Sequence, residues 1–216
     1  YNKEYIKKLE TISSYIKNKE AMESDIDITV YINFRNNMQV YYLSYNPIIR
    51  KSNDEGIKEI LSMQRKEADN LFCRYVEKRY IDWIQPNSED KPTLSHTLIR
   101  DKVIPRLDES DKPLFFILID NLRYDQWKSI QTLLEPYFRT ENDDIYYSIL
   151  PTTTQYARNS IFAGLMPLEI RRRYPKYWVD EEDEGTKNQY EGELLGEQLR
   201  RFGKNIKYSY NKVLNL

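Results

Sequence analysis

An uninterrupted apolar run at residues 114–119 constrains the fold of this chain more than any other feature. A run of this length that ends at a charged residue, here Asp120, is typical of a parallel β-strand covered on both faces. Polar residues 108–112 precede the run, and a helical pattern follows it from about residue 123 to residue 137. The segment therefore predicts the first strand of a sheet whose strands are joined by helices.

The alternation of strand and helix continues beyond this point. Residues 144–150 alternate like a second strand, and the sequence Pro-Thr-Thr-Thr at 151–154 leads into a helix that ends near Gly164. A further helix is predicted around residues 191–202 and a further strand around residues 206–210. Repeated β-α units predict an α/β fold with a doubly wound sheet, here incomplete, over residues 113–216.

Residues 1–108 have a different pattern and predict a helical bundle or linker segment. Apolar side chains recur at three- and four-residue steps over residues 5–16, and again from Gly56 until Pro86. Ser95 is a candidate N-cap for a helix that is expected to end before Pro105. Residues 26–45 contain aromatic and β-branched side chains that also suit a strand, and helix is preferred there from the neighbouring segments.

Composition and charge narrow the functional classes. The net charge is −1, so no global field attracts the chain to nucleic acid, and a phosphate-bearing substrate needs a local site. Cys73 is the only cysteine, which excludes an intramolecular disulfide and favours a reducing cytoplasm. No apolar run approaches the roughly 20 residues that span a bilayer. The first residue is Tyr1 rather than Met, so we expect residues before it.

Asp120 and the three threonines follow two consecutive predicted strands, where open α/β sheets bind their ligands. A carboxylate at such an edge suits a hard or borderline cation. A hydroxyl at a helix N-terminus lies beside free N–H groups that favour phosphate, and a metal can activate it as a nucleophile. Two structural explanations stay open, because Asp caps helices as often as it binds metal and Thr after Pro is a common N-cap.

Two motifs resemble those of a known family. Residues 116–127 (FILIDNLRYDQW) resemble the opening signature of PglZ domains of the alkaline phosphatase superfamily. Residues 148–159 (SILPTTTQYARN) with 162–165 (FAGL) resemble the nucleophile segment of those domains. The stretch from about residue 54, including LSHTL at 94–98, is similar to PorX-like response regulators, in which a receiver domain, a helical bundle and a PglZ domain follow one another.

The resemblance implies roles for four residues. Asp120 is expected to be a metal ligand. Thr154 is expected to be the nucleophile and a metal ligand, because nucleotide pyrophosphatase relatives have the same ten-residue spacing between nucleophile and helix-closing glycine, here Gly164. Thr152 and Thr153 are the less favoured alternatives. Arg158 and Asn159, one helical turn further on, are candidates for binding phosphate oxygens, and a role in packing that helix is an equal alternative. The superfamily uses two zinc ions, and the remaining Asp and His ligands are expected outside this chain, because its only histidine, His96, lies upstream. The chain alone is therefore expected to be inactive.

Two functions remain in competition at this point. The first is a metal-dependent phosphohydrolase or phosphodiesterase, the output module of a two-component response regulator, acting on a phosphate ester or a nucleotide-type substrate. The second is a non-catalytic platform that passes receiver phosphorylation on to partners, with a homodimer possible in either case. A DNA-binding regulator is a weaker third, because the charge is near neutral and no helix-turn-helix pattern is present.

Overall fold

The computed structural model describes residues 55–85, 91–109, 112–122, 124–180 and 186–213. The predicted helix at residues 5–16 and the ambiguous segment 26–45 lie outside these ranges. Contacts divide the chain into two compact units, one of residues 1–91 with 121–141 and the other of residues 92–120 with 142–216. In the described residues no helix is both long enough and apolar enough to cross a membrane.

Two helices lie in the described part of the first unit. Helix α1 spans Glu55–Ile84 without interruption, as its apolar stripe predicted, and it ends just before Pro86. The rings of Tyr75 and Trp83 lie 5.6 Å apart on it, and Cys73 is exposed. Helix α3, Tyr124–Leu134, forms where the helical pattern predicted it. The helical character expected for these two segments is therefore confirmed.

The second unit begins with a helix that departs from its predicted form. A π-helical turn, Ile99–Val103, runs directly into α2, Ile104–Glu109, so the expectation that this helix ends before Pro105 is wrong. The Ile104 amide bonds to the Ile99 carbonyl, five residues back. The wider turn already interrupts the usual i→i−4 hydrogen bonds of the helix. The missing N–H of Pro105 falls at this interruption, so the helix continues past the proline.

Ser95 does not cap that helix but pairs with a distant segment. Leu94 and Tyr147 form an isolated parallel bridge, in which the Ser95 amide donates to the Tyr147 carbonyl at 3.0 Å and the Tyr147 amide donates to Thr93 at 2.9 Å. The buried Ser95 hydroxyl then accepts the Ile149 amide at 3.1 Å. The predicted second strand therefore pairs over only a few residues, with a segment that the sequence had assigned to the N-cap of a helix.

The apolar run 114–119 forms neither helix nor strand and has no ladder partner among the described residues. Phe115 and Ile117 are 85% and 78% exposed, whereas Leu118 packs on the core and Phe116 meets Phe162 edge-to-face. The expected cover on both faces is therefore wrong here, because only one face meets a helix. The predicted strand 206–210 is likewise without a ladder in the described residues, and the doubly wound sheet stays a prediction.

Three further helices build the core of the second unit: α4, Thr154–Ala163; α5, Pro167–Arg173; and α6, Glu191–Arg201. A short 3₁₀ turn, Pro175–Tyr177, follows α5. Helices α4 and α6 pack against each other around a buried cluster that contains Ile161, Phe162, Ile170, Leu194 and Leu199. This packing fixes the N-terminus of α4, which carries the predicted nucleophile.

Candidate active site

Thr154 is the first residue of α4. Thr153 precedes it as the N-cap with extended backbone angles (φ −62°, ψ 144°), but its side chain makes no capping hydrogen bond. The side chains of Thr152, Thr153 and Thr154 are all exposed. The first amides of a helix have no intrahelical carbonyl, so they are open to an anion beside the Thr154 hydroxyl. The geometry thus leaves the threonine segment available for a ligand.

Asp120 lies next to Thr154, as its place after the first predicted strand suggested. The Thr154 hydroxyl donates to Asp120 Oδ2 at 3.4 Å, and the Asp120 carboxylate is half-exposed. Asn121 follows with a positive φ of 59°, so the chain turns directly after the aspartate. Among the three threonines, Thr154 is the one whose hydroxyl has this contact with Asp120 in the described residues. One cation would be within reach of both oxygens.

Arg158 joins this pair from one helical turn further along α4. One terminal nitrogen, Nη1, donates to Asp120 Oδ2 at 3.3 Å, and the other, Nη2, donates to Glu191 Oε2 at 2.6 Å. The Arg158 side chain is mostly buried. Burial alone would lower the pKa of Arg158, but the Glu191 and Asp120 carboxylates outweigh it and raise that pKa. Arg158 therefore stays charged beside Thr154.

Asn159 faces a different part of the unit. It is buried, and its side-chain amide donates to the Lys187 carbonyl at 3.1 Å. Asn188 returns from the same loop to donate to the Thr154 carbonyl at 3.2 Å. These two amides attach the loop before α6 to the first two turns of α4. In the described residues the Asn159 amide is therefore not among the groups that contact Asp120 or the Thr154 hydroxyl.

Three residues of the site were missed by the sequence reasoning. Glu191, the first residue of α6, is completely buried, and its Oε2 also accepts from the Tyr210 hydroxyl and lies 3.8 Å from Lys212 Nζ. An acidic residue in the first turn of a helix is favoured by the helix dipole, so Glu191 carried no distinctive signal in the sequence. Tyr210 and Lys212 reach it across a sequence separation that local patterns do not reveal.

Tyr146 is an aromatic side chain whose acidity is affected by the charge of Asp120. Burial, and then the charge of Asp120, raise its pKa above the ordinary tyrosine value. Both effects favour the neutral phenol. Tyr146 therefore stays a neutral phenol at neutral pH.

The residues at hand fit part of a metal site. Asp120 and Thr154 supply two oxygen donors 3.4 Å apart, whereas a catalytic zinc usually has three protein ligands. No group of three or more His, Cys, Asp or Glu side chains in the described ranges is arranged to hold an ion. Arg158 also lies against the same Asp120 oxygen. The described donors therefore suit an ion that draws its other ligands from elsewhere.

Comparison with protein families decides what these elements belong to. Residues 98–216, more than half of the chain, match the family of the BREX system PglZ alkaline phosphatase-like domain. The chain belongs to the PglZ family. Residues 1–84 match the PorX response regulator linker domain. No curated protein matches the chain.

The PglZ match gives the broader fold and chemistry of the second half of the chain. An alkaline phosphatase-like domain indicates an α/β fold and phosphoesterase-like chemistry, and its superfamily typically uses metal ions. The PglZ match begins at residue 98, so it includes the π-helical turn, Asp120, Thr154 and α6. PglZ joined to a response regulator linker indicates a phosphoesterase-like output module. This agrees with the family resemblance seen in the sequence.

Proposed function

We propose that this protein is a metal-dependent phosphoesterase of a two-component response regulator and that Thr154 is its nucleophile. The observation that carries the proposal is the contact between the Thr154 hydroxyl and Asp120 Oδ2 at the N-terminus of α4. A nucleophile at this position attacks a phosphoryl group that the helix amides hold. The substrate class is a phosphate monoester or diester, including nucleotides and oligonucleotides.

Each side chain has a part in the proposed reaction. Thr154 Oγ1 forms a bond to phosphorus while the ester oxygen of the leaving group separates, and the hydroxyl proton passes to solvent. Water then displaces the threonine in a second step and releases the phosphate product. Arg158 Nη1 binds a phosphoryl oxygen and offsets the charge that develops in both transition states. Asn159 and Asn188 hold the first two turns of α4 in place.

The charges around Thr154 support the proposed metal dependence. Contacts link two carboxylates, Asp120 and Glu191, to two cations, Arg158 and Lys212. These four charges sum to zero, so the side chains alone offer a phosphate dianion little attraction. When bound, the two zinc ions that the superfamily implies supply positive charge and lower the pKa of the threonine hydroxyl. Asp120 and Thr154 would hold one of them, with further ligands from outside this chain.

The setting of the enzyme follows from its linker. A PorX-type linker at residues 1–84 supports an N-terminal receiver domain whose phosphorylation controls the phosphoesterase. A homodimer is the proposed regulatory form. The proposed location is the cytoplasm. The competing function is a docking platform in which the fold passes on receiver phosphorylation without catalysis. Activity measurements on the full-length protein distinguish the two.

The three adjacent threonines provide a test with internal controls. In the full-length protein with zinc, Thr154→Ala should lower kcat on a chromogenic phosphodiester by about 10³-fold or more, since the covalent step is lost. Thr152→Ala and Thr153→Ala should stay within about threefold of the parent, because neither hydroxyl caps α4 nor contacts Asp120 in the described residues. Undiminished activity of Thr154→Ala would remove the nucleophile and favour the platform.

A further inference from the structure

Glu191 is an unusual residue to find fully enclosed. Its side chain is 0% exposed at the start of α6, and Oε1 has no hydrogen-bond partner in the described part of the chain. A buried carboxylate is costly unless it is paired, and an apolar residue of similar size often serves stability as well or better. Packing alone therefore gives no reason for a charged group here.

The contact of Glu191 with Arg158 gives a better reason for a buried carboxylate at this position. Arg158 Nη2 donates to it at 2.6 Å, while Nη1 of the same guanidinium reaches Asp120 at only 3.3 Å. The short bond anchors one edge of the planar group, and the long one leaves the other edge free to exchange its partner for a phosphoryl oxygen. The Arg158 Nε is buried without a hydrogen-bond partner in the described residues, so Glu191 is its strongest anchor.

Two further groups hold Glu191 itself. The Tyr210 hydroxyl donates to Oε2, and Lys212 Nζ lies 3.8 Å from the same atom. Tyr210 also packs edge-to-face on Phe162 of α4, with ring centres 5.5 Å apart. The carboxylate is therefore fixed from the segment after α6, and through it the guanidinium is fixed relative to Thr154 on α4.

We propose that Glu191 is a positioning residue that sets the orientation of Arg158, so that Nη1 meets the phosphoryl group transferred to Thr154. This inference rests on the proposed function and adds to it the residue that prepares the phosphate-binding arginine. Such supporting residues typically change activity by about 10–100-fold when their contact is lost. Glu191 acts through Arg158 and does not itself touch the substrate.

The test is a double-mutant cycle in the full-length protein, with the parent and the variants Glu191→Gln, Arg158→Gln and the pair of changes together. Steady-state rates on a phosphodiester and inhibition by inorganic phosphate are both measured. Glu191→Gln should lower kcat/KM by about 10–100-fold and weaken phosphate inhibition. In the Arg158→Gln background the same change should cost less than about threefold, because the group that Glu191 positions is gone.

Two matched variants complete the test. Glu193→Gln removes an exposed glutamate of the same helix and should leave kcat/KM and phosphate inhibition unchanged. Tyr210→Phe keeps the ring packing but removes one hydrogen bond to Glu191, so it should lower kcat/KM and weaken phosphate inhibition by less than Glu191→Gln does. This variant still tests the positioning role if Glu191→Gln does not fold. A full second loss from Glu191→Gln in the Arg158→Gln background would overturn the inference.

The outcome is separable from that of the proposed function. If Thr154→Ala keeps full activity while Glu191 and Arg158 remain coupled in phosphate inhibition, the nucleophile is wrong and the positioning role stands. If Thr154→Ala abolishes turnover and Glu191→Gln changes only the melting temperature, the nucleophile stands and Glu191 is structural. Loss of phosphate inhibition in Arg158→Gln alone, with Glu191→Gln like the parent, also rejects the positioning role.

Discussion

At the scale of single residues, Tyr210 is the side chain with the largest change in acidity around the site. Burial, and then its hydrogen bond to Glu191, raise the pKa of Tyr210 to about 12. A phenolate beside the Glu191 carboxylate would repel it, so the folded state retains the proton to a higher pH than the unfolded chain does. The unfolded value is about 10.

The pH dependence follows from this difference. Between about pH 10 and 12 the unfolded chain loses the Tyr210 proton first, so the free energy of unfolding falls as the pH rises. Tyr210→Phe cannot lose that proton. At pH 8 we expect the variant to be less stable than the parent by about 1 kcal/mol, the value of one hydrogen bond, and the gap should narrow above pH 10.

Urea unfolding at a series of pH values measures this gap. Tyr208→Phe is the control, since it removes a nearby hydroxyl that donates to the Gly192 carbonyl and not to a carboxylate. A constant difference between the parent and Tyr210→Phe from pH 8 to 12 would contradict the proposed coupling between Tyr210 and Glu191.

At the scale of elements, the C-terminus of α4 is held by side chains of α6. With its amide oriented so that nitrogen donates, Gln198 reaches the carbonyls of Ile161 and Phe162 at 3.1 and 2.9 Å, and Arg201 donates to Ala163. These carbonyls have no intrahelical donor. Gly164 ends the helix with a positive φ of 61° against the buried Gln198 side chain. The end of α4 thus depends on the absence of a side chain at residue 164.

Gly164→Ala tests this junction, and Gly203→Ala is its matched control. Both glycines have positive φ, 61° and 67°, so each alanine should cost about 1–2 kcal/mol for the left-handed backbone. A Cβ at residue 164 would lie 2.2 Å from the Gln198 amide, whereas nothing lies within 4 Å at residue 203. Gly164→Ala should therefore lose at least 1 kcal/mol more in chemical denaturation. Equal losses would show that Gln198 moves aside freely.

At the scale of the whole molecule, the features that the sequence predicted correctly are those determined by neighbouring residues. Helix α1 was predictable because its apolar stripe lies within one segment, and α4 because Gly164 marks its end. Ser95 was misassigned because its partners, Tyr147 and Ile149, are more than 50 residues away. A capping serine and a serine that pairs with a strand look alike in sequence.

The residues of the candidate site also differ in whether the sequence could predict them. Asp120 and Thr154 were predictable together because each follows an apparent strand, and the family motifs assigned their roles. Glu191 and Tyr210 were not, since a first-turn glutamate and one tyrosine among 19 carry no distinctive pattern. The packing of α6 on α4 brings Glu191 to Arg158, and Tyr210 reaches Glu191 from the segment after α6. The proposed nucleophile and metal ligand were thus visible in the sequence, whereas the residues proposed to position Arg158 required the fold.

The last prediction concerns activity of the chain as a whole. The 216-residue chain should hydrolyse a chromogenic phosphodiester no faster than background, whereas the full-length protein should do so when zinc is added. Asp120 and Thr154 give at most two ligands to one ion, and a third protein ligand is usually needed to retain catalytic zinc. A second ion is also needed to stabilise charge on the leaving and non-bridging oxygens.

Zinc titrations of both proteins, followed by calorimetry and by turnover, measure this difference. The full-length protein should bind zinc and lose both binding and turnover on Asp120→Asn, since an amide is a much poorer ligand than a carboxylate. The 216-residue chain should bind zinc weakly, with little change on Asp120→Asn, because two donors beside the Arg158 cation do not hold an ion. Metal-dependent turnover by the purified chain would show that the site is complete within it and that the ligand count is wrong.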